Sequence, residues 1–335
     1  MTPSMTPPVV SLTKSCTRRR ALRIVAGSIG MAALPWSAHG RAATEYSPPH
    51  RWEGKALGAE GSIRLYHPDA AHAQTILDRC VKEIDRLESL FSLYRPNSEL
   101  CRLNRAGRLA APSRDFIRLL NIAKEWHRHT AGAFDISVQP LWELYARHFA
   151  TPDANPTGPM PLDIAQARRR INGEAIHITP KEIRLKKADM ALTLNGIAQG
   201  YITDRITALL KAQGLQHVLV ELGEFRAIEE RPDGTPWRIG IANPDRPWQA
   251  LRTLPLRDGA IATSGSYGLF FEPTGRHHHL FDPSTGRSAN HHRSVTVLAP
   301  DATTADALST ALSILPRTDG EKLLRNFDGV EAIFY

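Results

Sequence analysis

Asp306 and Thr310 stand four residues apart in a segment, 303–315, whose pattern predicts a helix, so both side chains share one helical face. A carboxylate and a hydroxyl so placed could hold a hard cation such as Mg²⁺. An acid near a helix N-terminus with a threonine packed beside it has the same spacing, and on spacing alone that explanation is the stronger. Asn195-Gly196-Ile197-Ala198-Gln199-Gly200-Tyr201 joins a predicted strand to a predicted helix. Its glycines would let a ligand approach the backbone, and the helix start would favour an anion. Thr263-Ser264-Gly265-Ser266-Tyr267-Gly268 could offer backbone N–H groups to a phosphate, although Ser/Gly turns are most often only turns. His277, His278 and His279, with His291 and His292, could bind metal, but a solvated histidine loop is the simpler account of most of them. Asp135, after the helix stop at Thr130–Gly132, reads as an exposed acid with no role that its type alone can assign.

The elements that must position these groups show in the apolar periodicity. Leu77, Val81, Ile84, Leu87 and Phe91 recur at helical spacing over 71–91. Ser113 caps a second helix with Phe116, Leu119, Leu120, Ala123 and Trp126 on one face. Residues 45–55 read as a polar leader and 150–161, with four prolines, as a surface loop. Further helices are predicted over 162–171, 197–213, 303–315 and 319–327. Strands are predicted over 62–66, 175–178, 182–186, 190–194, 217–228, 237–242, 294–299 and 330–335. Helices and strands alternate without a regular βαβ rhythm. This favours an α+β (mixed α/β) domain over a doubly wound fold.

Several function classes are excluded. The dinucleotide, P-loop, zincin and C-x-x-C redox motifs are absent. The net charge of +8 suggests nucleic acid, but Lys14, Arg18, Arg19, Arg20, Arg23 and Arg41 account for six of it before residue 44. The +2 that remains on residues 44–335 gives no electrostatic claim on DNA or RNA. Cys80 falls on the apolar face of the first helix and reads as a buried free thiol.

Residues 1–43 carry a twin arginine, Arg18-Arg19, then a short apolar stretch over 24–34, then small residues to Ala43. The order resembles a twin-arginine export signal, which implies a periplasmic protein and a mature chain from about residue 44 without a transmembrane span.

Taken in order, the motifs become specific. They are Phe91-Ser92-Leu93-Tyr94, Thr130–Leu141, Leu192–Tyr201 with Asp204, Ala262–Tyr267, His278–Gly286, and Ser294–Pro300 running on to Ala305–Leu312. In this series the chain resembles the ApbE family, periplasmic FAD:protein FMN transferases, over residues 52–335. The resemblance implies a single two-lobed domain with FAD in the cleft. Tyr94 and Ala133-Phe134-Asp135 would hold the flavin and adenine parts, with Leu57 and Leu280 also lining the site. Mg²⁺ would sit on Gly196 through its carbonyl and on Asp306 and Thr310 through their side chains, and His279 would serve in transfer. A threonine of an acceptor flavoprotein, a membrane-bound respiratory subunit, would attack the FMN phosphorus and release AMP.

The chain departs from the family pattern where Leu57-Gly58-Ala59 stands for Met-Gly-Thr. It departs again where Thr193, Asn195 and Gln199 replace Asp, Gly and Lys of the family's Leu-Asp-Leu-Gly-Gly-Ile-Ala-Lys-Gly. An acid and a base are lost together, so neither charge is left unpaired. The substituted turn is similar to a branch linked to maturation of the flavoprotein of nitrous-oxide respiration. Two other functions stay open: a periplasmic FAD-binding protein without transfer, and an FAD pyrophosphatase in which water replaces the threonine.

Overall fold

The computed structural model describes residues 48–335; the export-signal segment lies outside the described residues. Strands β1 (His50–Ala56) and β2 (Ala59–Leu65) form a hairpin whose loop is two residues long, between paired Ala56 and Ala59. In its type I′ form such a turn takes positive φ at both positions. Gly58 takes +84° and Leu57, unusually for a side-chain residue, +48°. Residues 50–55 of the segment expected as a polar leader are therefore part of an edge strand. Its outward face alternates exposed polar residues, which hid it from a search for apolar runs.

Helix α1 (Ala70–Phe91) is capped by Asp69 and buries Ile76, Leu77, Cys80, Ile84, Leu87 and Phe91. Cys80 is a free buried thiol, as its place on the apolar face implied, and burial pushes it up to about 12; Val81 is only half-buried. Helix α2 (Glu99–Ala106) follows a cap at Ser98. After strand β3 (Arg108–Ala110), Ser113 caps α3 (Arg114–His129), which buries the five predicted residues. Helices α4 (Gln139–Ala150) and α5 (Pro161–Arg169) belong to a smaller lobe cored by Leu141, Tyr145, Ile164, Ala167, Ile171 and Phe281.

Strands β4 (Ile176–Ile178) and β5 (Glu182–Leu185) pair with each other and with β3. No strand forms over 190–194. The backbone there is satisfied differently: the Asn104 side chain clasps Leu192 N and O at 2.8 Å each, and Thr193 N donates to Ile136 O at 2.8 Å. A side chain that mimics a ladder rung needs no neighbouring strand. Helix α6 (Ala198–Ala212) follows.

The stretch expected as one strand over 217–228 is a hairpin, β6 (Val218–Glu221) and β7 (Phe225–Ile228), broken at Leu222-Gly223-Glu224. Strands β8 (Trp237–Asn243) and β9 (Arg246–Leu256) form a separate two-stranded ribbon whose Trp237, Ile239, Ile241, Leu254 and Leu256 pack on Leu219, Ala227 and Ile261 of the main sheet. Strands β10 (Gly259–Gly265), β13 (Ser294–Ala299) and β14 (Glu331–Phe334) complete a seven-stranded antiparallel sheet, ordered β1-β2-β6-β7-β10-β13-β14. The short pair β11 (Phe281–Asp282) and β12 (Arg287–Ser288) joins the smaller lobe.

Helix α7 (Ala302–Ile314) is buried on nearly every side, which its Ala and Ser residues permit. It lies against β10, β13 and α6. At Gly200 the two helices approach so closely that a Cβ would stand 2.4 Å from Ala302 O. Asp204 of α6 ties the crossing by accepting from Ala302 N, Thr303 N and Thr303 Oγ1 at 2.9, 2.8 and 2.5 Å. Helix α8 (Arg317–Leu324) leads into β14.

Candidate active site

The open end of this helix–sheet sandwich and the smaller lobe enclose a cleft of about 220 Å³. Every residue named from the resemblance reaches it: Leu57, Tyr94, Ala133, Phe134, Asp135, Thr193, Gly196, Gln199, His279, Leu280, Asp306 and Thr310. They come from six separate chain segments, so only the tertiary fold joins them.

Asp306 is the fifth residue of α7. The helix cap is Asp301, which accepts from Thr304 N at 2.8 Å, so Asp306 is not the helix-terminus acid that spacing alone favoured. Its carboxylate is buried and accepts Gly200 N–H at 3.0 Å. That amide, near the start of α6, is thus committed to Asp306 and not left for a ligand's phosphate. Burial pushes the Asp306 carboxyl up to about 7, with Gly200 opposing and Asp204 adding to the rise. One turn on, Thr310 Oγ1 lies 3.3 Å from Ser264 Oγ, which also meets Ser309 Oγ at 2.8 Å. The Gly196 backbone presses on the same hydroxyl: a Cβ at Gly196 would stand 2.8 Å from Thr310 Oγ1.

Across the cleft, Glu224 is buried too, and its carboxyl is raised well above the usual range by burial and by Asp306. Tyr267 is pushed up to about 12 by burial and by Glu224. No Lys or Arg lines the cleft, and neither Asp306 nor Glu224 has a basic partner among the described residues. Two buried carboxyls without a counter-charge call for a cation or a proton. The donors around Thr310 are all oxygen, which suits a hard cation. Among the described residues no cluster of three or more His, Cys, Asp and Glu could hold a metal, so hydroxyl, carbonyl and substrate oxygens must complete any such site.

His279 is half-buried, and its ring lies over Gly268. Its Nδ1 stands 3.3 Å from Leu269 O. A carbonyl only accepts, so the proton sits on Nδ1 and Nε2 is left as the accepting nitrogen. Burial holds the ring below the usual histidine range, hence neutral. The neighbouring histidines are not the solvated loop expected of them. His277 and His278 are buried, and burial lowers His278 to about 4; His291 is exposed and His292 half-buried. The main chain of 277–280 pairs with Phe271, Leu269 and Ser288, which draws those rings inward.

Asp135 is buried, against the expectation of an exposed acid. One oxygen accepts from Ser137 N and Oγ at 2.7 and 2.6 Å, and the other from Gly173 N at 3.0 Å. Its carboxylate therefore shapes the 133–136 wall, which lines the cleft. Gln199 fills the space over Gly223, where a Cβ would stand 2.2 Å from its Nε2; Gly223 sits at φ +99°, in the left-handed region that favours glycine.

Tyr94 is 57% exposed at the rim, whereas Phe91, three residues earlier, is 2% exposed. The two rims are braced from behind by Glu88 of α1. One of its oxygens accepts Leu57 N–H, and the other pairs with Arg95, next to Tyr94. Sequence reasoning missed Glu88, Glu224, Trp142 and the β8 segment Gly240-Ile241-Ala242, all but the first lining the cleft. For Glu224 a signal existed: a glycine and an acid interrupt an otherwise apolar run.

The structure thus defines a single-domain α+β protein whose cleft holds both a neutral histidine and an oxygen-only donor set. The chain belongs to the ApbE family, whose model matches residues 57–334. It is 35% identical over 277 residues to the FAD:protein FMN transferase of Vibrio cholerae, covering 80% of this chain and 81% of that protein. To the FAD:protein FMN transferase of Treponema pallidum it is 32% identical over 308 residues, covering 83% and 82%. Among solved structures, the ApbE protein of Thermotoga maritima matches with a TM-score of 0.75 at 28% identity, over 85% of this chain and 94% of that one. The flavin transferase ApbE of Vibrio cholerae matches at 0.72 and 27%, over 86% and 94%.

Proposed function

We propose that this protein transfers FMN from FAD to a threonine hydroxyl of an acceptor protein and releases AMP. The observation that carries the proposal is the convergence of Leu57, Tyr94, Ala133–Asp135, Gln199, His279 and the Asp306/Thr310 pair on one cleft, in a chain similar to named FAD:protein FMN transferases over four-fifths of its length.

In this scheme the threonine Oγ attacks the FMN-side phosphorus. A new P–O bond forms, the bond to the AMP phosphate breaks, and AMP leaves. The threonine proton passes to His279 Nε2, which is neutral and unprotonated. Leu57, Tyr94 and the 133–136 wall fix the nucleotide. Asp306, Thr310 and the Gly196 carbonyl would hold Mg²⁺, which when bound neutralises phosphate charge that no Lys or Arg of the cleft can meet.

The acceptor would carry an exposed threonine, and a membrane-bound respiratory subunit facing the periplasm fits a chain exported by the twin-arginine route. No helix among the described residues is long and apolar enough to cross a membrane.

The test is incubation with FAD, Mg²⁺ and a membrane fraction, followed by AMP release and by mass spectrometry of acceptor peptides. Stoichiometric AMP with FMN on threonine is the expected result. AMP with free FMN would make the protein a pyrophosphatase, and FAD retained intact would make it a binding protein.

A further inference from the structure

The nucleotide and cation assignments leave one wall of the cleft unused. Gly240, Ile241 and Ala242 of β8 line the cleft consecutively. Side chains of successive strand residues point to opposite faces. The register is regular from Trp237 to Ile241 and breaks between Ile241 and Ala242, so Gly240 meets the cleft along the strand's backbone edge while the irregularity brings Ala242 to the same side. β9 covers the other edge of β8, and the ribbon has two strands only. Among the described residues no other backbone group bonds to the main chain of 237–243.

The register shows which groups point outward. Arg238 faces Pro255, which has no N–H and so cannot form a doubly bonded antiparallel pair. Gly240, two residues on and opposite Thr253, belongs to the same class of pair. Its N–H and C=O therefore point away from β9, into the cleft. Gly240 is exposed and carries no side chain of its own to shield them, and the strand is held by buried Ile239 and Ile241 against the main sheet. This is a rigid, unpaired strand edge inside a reaction cleft.

We propose that an extended segment of the acceptor polypeptide adds to the β8 edge at Gly240 as a third strand, carrying its threonine into the cleft. The inference rests on the transferase reading above, which requires a polypeptide to enter beside FAD. Main-chain pairing supplies the affinity, and alternation along the added strand turns every second side chain inward. It needs no charge on the segment, in keeping with a cleft lining without Lys or Arg.

The test uses the full protein, FAD, Mg²⁺ and the acceptor found by the mass-spectrometric experiment, both whole and as a synthetic peptide of about a dozen residues centred on the modified threonine. Gly240→Pro removes the outward N–H and no bond to β9. It should raise the acceptor KM by about five- to tenfold with the FAD dissociation constant and kcat little changed. Gly240→Ala keeps the N–H, and its Cβ would meet only Ala250 Cβ at 3.8 Å, so it should restore the acceptor KM.

Peptides N-methylated at alternate residues should split into a set that reacts and a set that does not. If Gly240→Pro fails to bind FAD, these peptides decide alone. A wild-type acceptor KM in a Gly240→Pro protein that binds FAD, or equal reaction of both methylated sets, overturns the proposal, as does a whole acceptor that reacts while its peptide does not. Absence of covalent FMN with the wild-type protein would instead defeat the transferase reading.

Discussion

Asp306→Asn should stabilise the cation-free protein and abolish its response to Mg²⁺. The Asp306 carboxyl is 3% exposed, has one N–H donor, and faces Glu224 and Asp204 without a basic partner among the described residues. Burial raises it from 3.8 to about 7. A carboxyl raised in the folded state binds more protons than in the unfolded chain between those values. Its contribution to stability therefore falls as pH rises from about 4 to about 7 and stays low above. The full rise corresponds to about 4 kcal/mol, of which relaxation around the charge should leave roughly 2 kcal/mol or more at pH 8. Asparagine keeps the acceptor for Gly200 N–H and removes the charge.

Urea unfolding at pH 5 and pH 8, in EDTA, measures the effect. The variant should match the wild type within about 1 kcal/mol at pH 5 and exceed it by about 2 kcal/mol at pH 8. With Mg²⁺ and FAD added, the wild-type melting temperature should climb while that of the variant stays put, and FMN transfer should be lost. If Asp306 only supported its helix, the substitution would cost up to about 1 kcal/mol at both pH values. A variant destabilised at pH 8, or one that still flavinylates its acceptor at the wild-type rate, refutes the reasoning.

Three further outcomes are expected. Tyr94→Ala should weaken FAD binding by ~1–3 kcal/mol, the range for a lost stacking contact, with the apo melting temperature hardly moved. Phe91→Ala, which removes a ring packed against Phe116 and Tyr201, should instead cost ~3–5 kcal/mol of stability, and a reversed pattern in calorimetry would show the two roles exchanged. Glu88→Gln should raise the KM for FAD about two- to fivefold at constant kcat, since one rim loses its ionic brace; a fall in stability with unchanged KM would make Glu88 merely structural. Arg18→Lys with Arg19→Lys should trap full-length precursor in the cytoplasm, and normal processing in a fractionation assay would remove the export proposal.

What the sequence showed and hid follows from how each feature is encoded. Helices α1 and α3 were legible because an apolar stripe fixes the buried face of each, and Ser113 marks the start of α3. Edge strand β1 was not, since solvent takes one of its faces and leaves an alternation too weak to separate from a leader. The β6–β7 break rests on Gly223 adopting φ +99°, and a lone glycine in an apolar run does not announce whether it bends the chain. Thr193 and Gln199 could be placed at the site from the motif, but the packing of Gln199 over Gly223 joins residues 24 positions apart and is written nowhere locally. Asp135 shows the same limit in reverse. It lines the cleft, while its carboxylate, bonded to Ser137 and Gly173, could be read only from the fold.

The charge balance of the cleft accounts for the substituted turn. Thr193 and Gln199 leave the lining without Lys or Arg and keep Asp306 and Glu224 as buried acids. Had the base at position 199 gone while the acid at 193 stayed, a third carboxylate without a counter-charge would have entered a site already forced to hold protons at neutral pH. Exchanging both leaves the net charge of the cleft unchanged. In the proposed scheme Leu57, Tyr94 and the 133–136 wall would select the nucleotide by shape, and a cation on Asp306 and Thr310 would alone meet its phosphate charge. FAD affinity should then depend on Mg²⁺ more steeply in this chain than in its Gln199→Lys variant, as titrations with and without EDTA would measure, and an equal dependence would refute the argument.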